Sequence, residues 1–225
     1  MRRVWFFILL TFSSACNVST KRNIFDKIDA FVFIREEAIL KKSDDGDVRV
    51  VHNASGVCIA GFDNKTVLTA GHVCELDVIK KIGKLQSDIT IETTLYDGEV
   101  STATVIRFVN NEYQDLCLLR MQSAKCIDTV RLSENAPEKG DDVITFAAPR
   151  GVFLPTNVIF FDGHYIGTNE NNYMIFALPA TQGSSGSPVL NSDLQLISIV
   201  DSVIEDFMFI STGTNFDRLK RFVNE

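Results

Sequence analysis

Three short stretches of the 225-residue chain carry side chains that together could perform covalent nucleophilic catalysis. Gly183-Ser184-Ser185-Gly186-Ser187-Pro188 describes a tight turn that presents one hydroxyl and leaves backbone N–H groups facing whatever that hydroxyl attacks. A serine hydroxyl is a poor nucleophile at neutral pH because its proton must leave as it attacks. A neutral imidazole can take that proton, and a carboxylate on the far ring nitrogen fixes the tautomer and stabilises the imidazolium. Leu68-Thr69-Ala70-Gly71-His72-Val73 and Asp115-Leu116-Cys117-Leu118-Leu119 supply both partners. The candidates are therefore Ser185 as nucleophile, His72 as general base and acid, and Asp115 as the orienting carboxylate. The N–H groups of Gly183 and Ser185 would form the oxyanion hole, where one lost donor typically costs roughly 100- to 1000-fold in rate.

Each assignment has a plainer competitor. His52, beside Asn53, reads as a turn or surface histidine, and His164, in Asp162-Gly163-His164-Tyr165, as a strand-edge one. His72 ends a β-rich run at a glycine, where a side chain can point into a cleft. Asp115 opens an apolar strand, so its carboxylate should be partly buried and in need of a partner. Ser184 and Ser187 compete with Ser185, but only Ser185 has glycine both two positions before and immediately after it.

The elements that must position these groups are mostly strands. Ala30–Ile34, Val48–Val51, Val57–Ala60, Thr66–Thr69, Ile89–Leu95, Val100–Val109 and Asp115–Met121 alternate or run apolar between turn signals. Ile127–Gly140 is polar and reads as a linker between halves. Val143–Ala147, Val158–Phe161, Gly163–Gly167, Tyr173–Leu178, Pro188–Leu190, Leu194–Val200 and Asp206–Ser211 repeat the pattern. Glu75–Lys84 suggests a short helix, and Asn215–Asn224 has a helical period. The expectation is an all-β chain of two six-stranded antiparallel barrels packed side by side, with a C-terminal helix. The first barrel would span residues 30–130, carrying His72 and Asp115, and the second residues 131–225, carrying Ser185.

The start of the chain has a different purpose. Met1-Arg2-Arg3, the 9-residue run Val4–Phe12, and Ser13-Ser14-Ala15 have the layout of a secretory signal over residues 1–15. The run is far below the ~20 residues that span a bilayer as a helix. Cys16 follows directly, and the site resembles a bacterial lipoprotein processing site, with Ser13 where that motif usually has Leu. Lipidation of Cys16 and ordinary cleavage near Ala15 both remain open, with residues 16–29 as a tether. Of five cysteines, Cys58, Cys74, Cys117 and Cys126 remain. They fit two disulfides in three possible pairings, or four free thiols. The net charge of −7 argues against a nucleic-acid partner, which needs clustered cations. Scattered histidines and the lack of Cys-x-x-Cys or His-x-x-x-His spacing call for no metal or cofactor.

The order His, Asp, Ser and the three flanking motifs resemble the trypsin/chymotrypsin-like serine peptidase superfamily over roughly residues 30–225. Gly-Ser-Ser-Gly-Ser-Pro-Val is nearer to the bacterial glutamyl-endopeptidase and HtrA-like branch, and to similar phage-encoded proteins, than to digestive proteases. The resemblance implies an exported endopeptidase acting on protein or peptide through an acyl-enzyme, with any membrane contact made through an N-terminal lipid. Ser184 stands where the digestive group has the aspartate that binds a new N-terminus, which implies no such activation step. It also implies a substrate pocket lined by Ala180, Thr181, Val200 and Asp201, with a small or apolar preference. Asp201 could alternatively support Asp115 from behind. Two rivals are a protease-like fold kept for binding with catalysis lost, and an esterase. The esterase is disfavoured because a lipase-type elbow sits in an α/β chain with the opposite residue order.

Overall fold

Among the described residues, twelve strands close into two barrels. The structure, a computed structural model, describes residues 23–40, 47–81, 87–204 and 207–225; the expected signal segment and Cys16 lie outside the described residues. The first barrel comprises β1 (Phe31–Leu40), β2 (Val48–Cys58), β3 (Thr66–Thr69), β4 (Ser87–Leu95), β5 (Val100–Asn111) and β6 (Gln114–Met121). It closes in the order β1-β2-β3-β6-β5-β4, all pairs antiparallel. The second comprises β7 (Asp142–Ala147), β8 (Ile159–Thr168), β9 (Met174–Phe176), β10 (Pro188–Asn191), β11 (Leu196–Ile204) and β12 (Phe207–Gly213). It closes as β10-β11-β12-β9-β8-β7. Closure removes the open sheet edges that would otherwise present unpaired backbone groups. Helix α1 (Glu75–Lys81) follows the His72 segment, and α2 (Phe216–Asn224) ends the chain.

Several expected boundaries shift for a common reason. Val48–Val51 and Val57–Ala60 are one strand, because every residue from Val48 to Val57 has a partner on β1, including His52 opposite Glu36. Polar and small residues in the middle imitate a turn, but ladder bonds outside the local sequence keep them extended. Likewise Gly163 does not break β8: it pairs with Val143, and the Ala177 carbonyl occupies the space where its Cβ would stand. The segment expected as a tether is, from Ile24 to Ala30, a 3-10 helix that docks on the first barrel. Ile28 enters the core, and Lys27 pairs with Asp128 at 2.7 Å. The linker region is also tied down. Val130 bridges to Ile59 and Leu132 to Leu196, so one stretch of backbone is stitched to both barrels.

The core crosses the seam between barrels. Phe31, Ile34, Leu68, Leu95, Leu116 and Leu118 of the first barrel form one continuous apolar cluster with Phe146, Leu190, Leu196 and Ile199 of the second. Leu219 and Phe222 of α2 join it. Asn215 caps that helix through its side-chain oxygen, which accepts from the Asp217 N–H. The Arg107 guanidinium of β5 donates to the Phe222 carbonyl, so the helix is clamped across both barrels. Each fully buried large aliphatic or aromatic side chain here contributes about 1.5–3 kcal/mol.

Two disulfides form, one of the three pairings open to the sequence. Cys58–Cys126 spans 68 residues and anchors the connector to the end of β2. Cys74–Cys117 spans 43 residues and joins the segment after His72 to β6. Loops of these lengths correspond to about 4 kcal/mol each on the chain-entropy account.

One buried carboxyl lies in the wall of the first barrel. Glu36 of β1 is 1% exposed, with His52 Nδ1 3.5 Å from its carboxylate. Burial, reinforced by the charges of Asp77 and Glu75, pushes its carboxyl up to about 7, although the Asp77 backbone N–H and His72 pull the other way. A carboxyl with a raised folded-state pKa stabilises the fold while protonated. Its contribution is therefore complete below the ordinary value of 4.5 and lost as pH rises toward about 7. We expect urea midpoints to fall between pH 5 and pH 8, and Glu36→Gln to flatten that slope. A Glu36→Gln profile as steep as the wild type would show that the pH dependence arises elsewhere.

Candidate active site

The His72 segment is shaped by its neighbours. Strand β3 delivers the chain to a 3-10 turn, Gly71–Cys74, in which the His72 imidazole is 41% exposed and Val73 and Cys74 are buried. Gly71 packs so closely on β5 and β6 that a Cβ there would overlap the Val109 carbonyl and the Asp115 carboxylate. That approach lets Asp115 grip the histidine twice. Its Oδ1 accepts from the His72 backbone N–H at 2.6 Å, and its Oδ2 lies 2.6 Å from Nδ1. Asp115 itself is 8% exposed, so the charge expected to need a partner has one. The Cys74–Cys117 bridge lies two residues beyond each member of the pair and fixes the two backbones together.

The electrostatics favour a basic imidazole. Burial opposes the imidazolium, but the hydrogen bond and charge of Asp115 outweigh it. The charges of Asp201 and Glu75 act in the same direction, and the net effect raises the His72 pKa above its ordinary 6.5.

Ser185 sits on a loop locked from both sides. Gly183 and Gly186, at φ +92° and +81°, reverse the chain around it. Ser184 is buried and its hydroxyl accepts from the Thr181 N–H, which commits it to the turn. Ser187 is fully buried. Ser185 alone of the three is partly exposed, and its hydroxyl makes no hydrogen bond among the described residues. The N–H groups of Gly183 and Ser185 are likewise not engaged by another acceptor among the described residues.

What holds this loop against the first barrel is Ser55, a residue that nothing in the sequence singled out. On β2, its N–H donates to the Ser185 carbonyl at 2.8 Å and its hydroxyl to the Gly183 carbonyl at 2.8 Å. The same hydroxyl accepts from the Ala148 N–H at 3.0 Å. Its own carbonyl accepts from the Thr69 hydroxyl, three residues before His72. Gly186 presses into this junction: a Cβ would strike the Ser55 carbonyl, the Thr69 hydroxyl and the Ala70 N–H. A serine preceding a glycine in a mid-strand position carries no signal that could have revealed this role.

The expected pocket residues separate. Ala180 and Val200 are buried in the second barrel's core, and Thr181 is half-buried beside the turn. Asp201 instead lines a cavity of about 420 Å³ that also borders His72, Asp115, Tyr173, Ser202 and Thr212. It is 7% exposed, and its Oδ1 accepts from the Thr212 hydroxyl at 2.6 Å. His52 and His164 stand apart, each exposed on a strand and near Glu36 and Asp142 respectively.

Comparison with known proteins agrees with this architecture. The model of the trypsin-like peptidase domain matches residues 54–199. The chain belongs to that family. Among solved structures, the serine endoprotease from Yersinia pestis superposes with a TM-score of 0.64 at 18% identity, covering 88% of this chain. The chain spans 62% of that protein's length, and at such identity the likeness concerns the fold. No curated protein sequence matches the chain. Membership of the trypsin-like peptidase family supports a serine protease, and the matched segment includes the stretches holding His72, Asp115 and Ser185.

In this trypsin-like peptidase domain the Ser55 clamp should be costly to remove. Ser55→Ala leaves a buried carbonyl and a buried N–H without their partner, which costs about 1–3 kcal/mol. We expect lower stability in urea and slower labelling of Ser185 by a fluorophosphonate under folded conditions. Unchanged stability and labelling would remove Ser55 from this role.

Proposed function

We propose that this protein is an exported serine endopeptidase that hydrolyses peptide bonds through an acyl-enzyme at Ser185. The observation that carries the reading is the double grip of buried Asp115 on His72, through the backbone N–H and Nδ1. With Nδ1–H donating to Asp115, the neutral tautomer carries its lone pair on Nε2. That atom removes the Ser185 proton as Oγ attacks the scissile carbonyl. The imidazolium formed is stabilised by Asp115 and then gives its proton to the leaving amine. The N–H groups of Gly183 and Ser185 stabilise the oxyanion of each tetrahedral intermediate. Water, activated by the same imidazole, releases the acyl group.

Family membership supports a protein or peptide as substrate. Export is supported by the signal-like segment and by two disulfides, which persist in oxidising compartments. Cys16, if lipidated, would anchor the mature chain to a membrane, whereas cleavage alone would release it. The rival reading, a silent binding protein on a protease fold, would leave Ser185 unreactive.

A fluorophosphonate should modify Ser185, and Ser185→Ala or His72→Ala should abolish labelling and lower kcat by at least about 10⁴-fold. Because the base must be neutral and its pKa is raised, kcat/KM should fall as pH drops, with a midpoint above 6.5. An unlabelled, folded protein that cleaves no peptide in a denatured proteome would leave the binding reading in possession.

A further inference from the structure

We infer that the cavity beside His72 is a subsite for a cationic substrate side chain, arginine or lysine, with Asp201 as its counter-charge. This rests on the peptidase reading above. The cavity, about 420 Å³, sets a few polar groups in a mostly apolar surface. Asp115 and Asp201 supply carboxylates, Tyr173 and Thr212 hydroxyls, and Asn169 and Asn171 amides. The one wall group able to become a cation is His72, which must be neutral at the moment of attack. A third carboxylate, Glu75, lies behind the rim, where the Asn110 amide donates to it.

Asp201 is the anomaly. It is more than nine-tenths buried, and while Oδ1 has the Thr212 hydroxyl, Oδ2 has no hydrogen-bond partner. A buried carboxylate oxygen without a donor is costly, and that cost falls when a positive charge comes close to the carboxylate. Burial and the nearby Asp115 charge push its carboxyl up to about 6, against the Thr212 hydrogen bond, the Ser202 backbone N–H and the attraction of His72. Above that pH it is ionised and poorly hydrated, so its field projects into the cavity rather than into water. Arg218 of α2 is committed elsewhere. Its guanidinium donates to the carbonyls of Tyr113 and Asn171 and stacks over the Tyr113 ring, 5.3 Å from its centroid. Tyr173 is held neutral, its hydroxyl pKa raised by burial and by the Asp201 and Asp115 charges.

Position adds the functional sense. The cavity borders the imidazole that must stand beside the scissile bond, so the side chain entering it belongs to a residue near that bond. It is separate from the buried Ala180 and Val200, and a small or apolar preference there would not conflict with a basic residue here.

The test compares peptides that differ only by arginine and its neutral isostere citrulline, scanned over the three positions on each side of the scissile bond. At pH 8 the wild type should favour arginine at one position by about 10-fold or more in kcat/KM. In Asp201→Asn that ratio should collapse toward one. Using the ratio cancels any effect of Asp201 on His72 that both peptides share. Below pH 6, protonation of Asp201 should weaken the preference in the wild type. Ratios near one at every position in an enzyme that labels with fluorophosphonate would overturn the subsite and leave the peptidase reading intact. If no peptide is cleaved, calorimetric binding of the same pairs to the folded Ser185→Ala protein decides. Tighter binding of an arginine peptide, lost with Asp201→Asn added, supports the subsite; equal or absent binding refutes it.

Discussion

The site depends on a junction of backbone groups at Ser55, where the two barrels exchange hydrogen bonds. His72 and Asp115 belong wholly to the first barrel, and Ser185 wholly to the second. Nothing within either barrel fixes their separation. Ser55 does so with its N–H, its hydroxyl and its carbonyl, reaching the Ser185 and Gly183 carbonyls in one direction and the Thr69 hydroxyl in the other. Gly186 completes the contact by having no side chain to keep the strands apart. The continuous apolar seam behind it supplies the favourable energy, but apolar packing is non-directional and tolerates small slides. Directional bonds fix the Ser185 loop against the His72 segment more narrowly than apolar packing can.

A second theme is the accumulation of negative charge around one imidazole. Asp115 is compensated by two donors from His72, whereas Asp201 and Glu36 are buried carboxyls whose pKa values are raised to about 6 and about 7. Asp115 and Asp201, with Glu75, favour the protonated imidazole. The arrangement strengthens the base and also makes the resting site unstable toward alkali, so stability and reactivity draw on the same buried charges. Such sites are where local rules of burial are usually broken for function.

Much of this was open to reading from the chain. Each motif carries its own reason: Gly-Ser-Ser-Gly for an exposed hydroxyl between two positive-φ turns, Gly-His for a strand ending at a base, and an aspartate opening an apolar strand for a carboxylate that must find a donor. Strand alternation gave the all-β class and the two halves. The pieces misread were those where local chemistry is ambiguous. His52 to Gly56 looks like a turn, and only the ladder to β1 makes it strand. Ile24 to Ala30 is too short for a period to emerge, and only Ile28 and Lys27 finding partners reveal that it docks.

The sequence by itself determined which groups could react, because nucleophile, base and acid are defined by residue type and by the backbone conformations their neighbours permit. Tertiary structure decided which cysteines join, how the linker and last helix lace the halves together, that Ser55 ties the Ser185 loop to the first barrel, and that Asp201 lies beside His72 and Asp115. Those are relations between residues far apart in the chain. Local propensity and spacing act over a few residues, whereas a hydrogen bond across the seam or a carboxyl stranded beside an imidazole exists only once both barrels have closed.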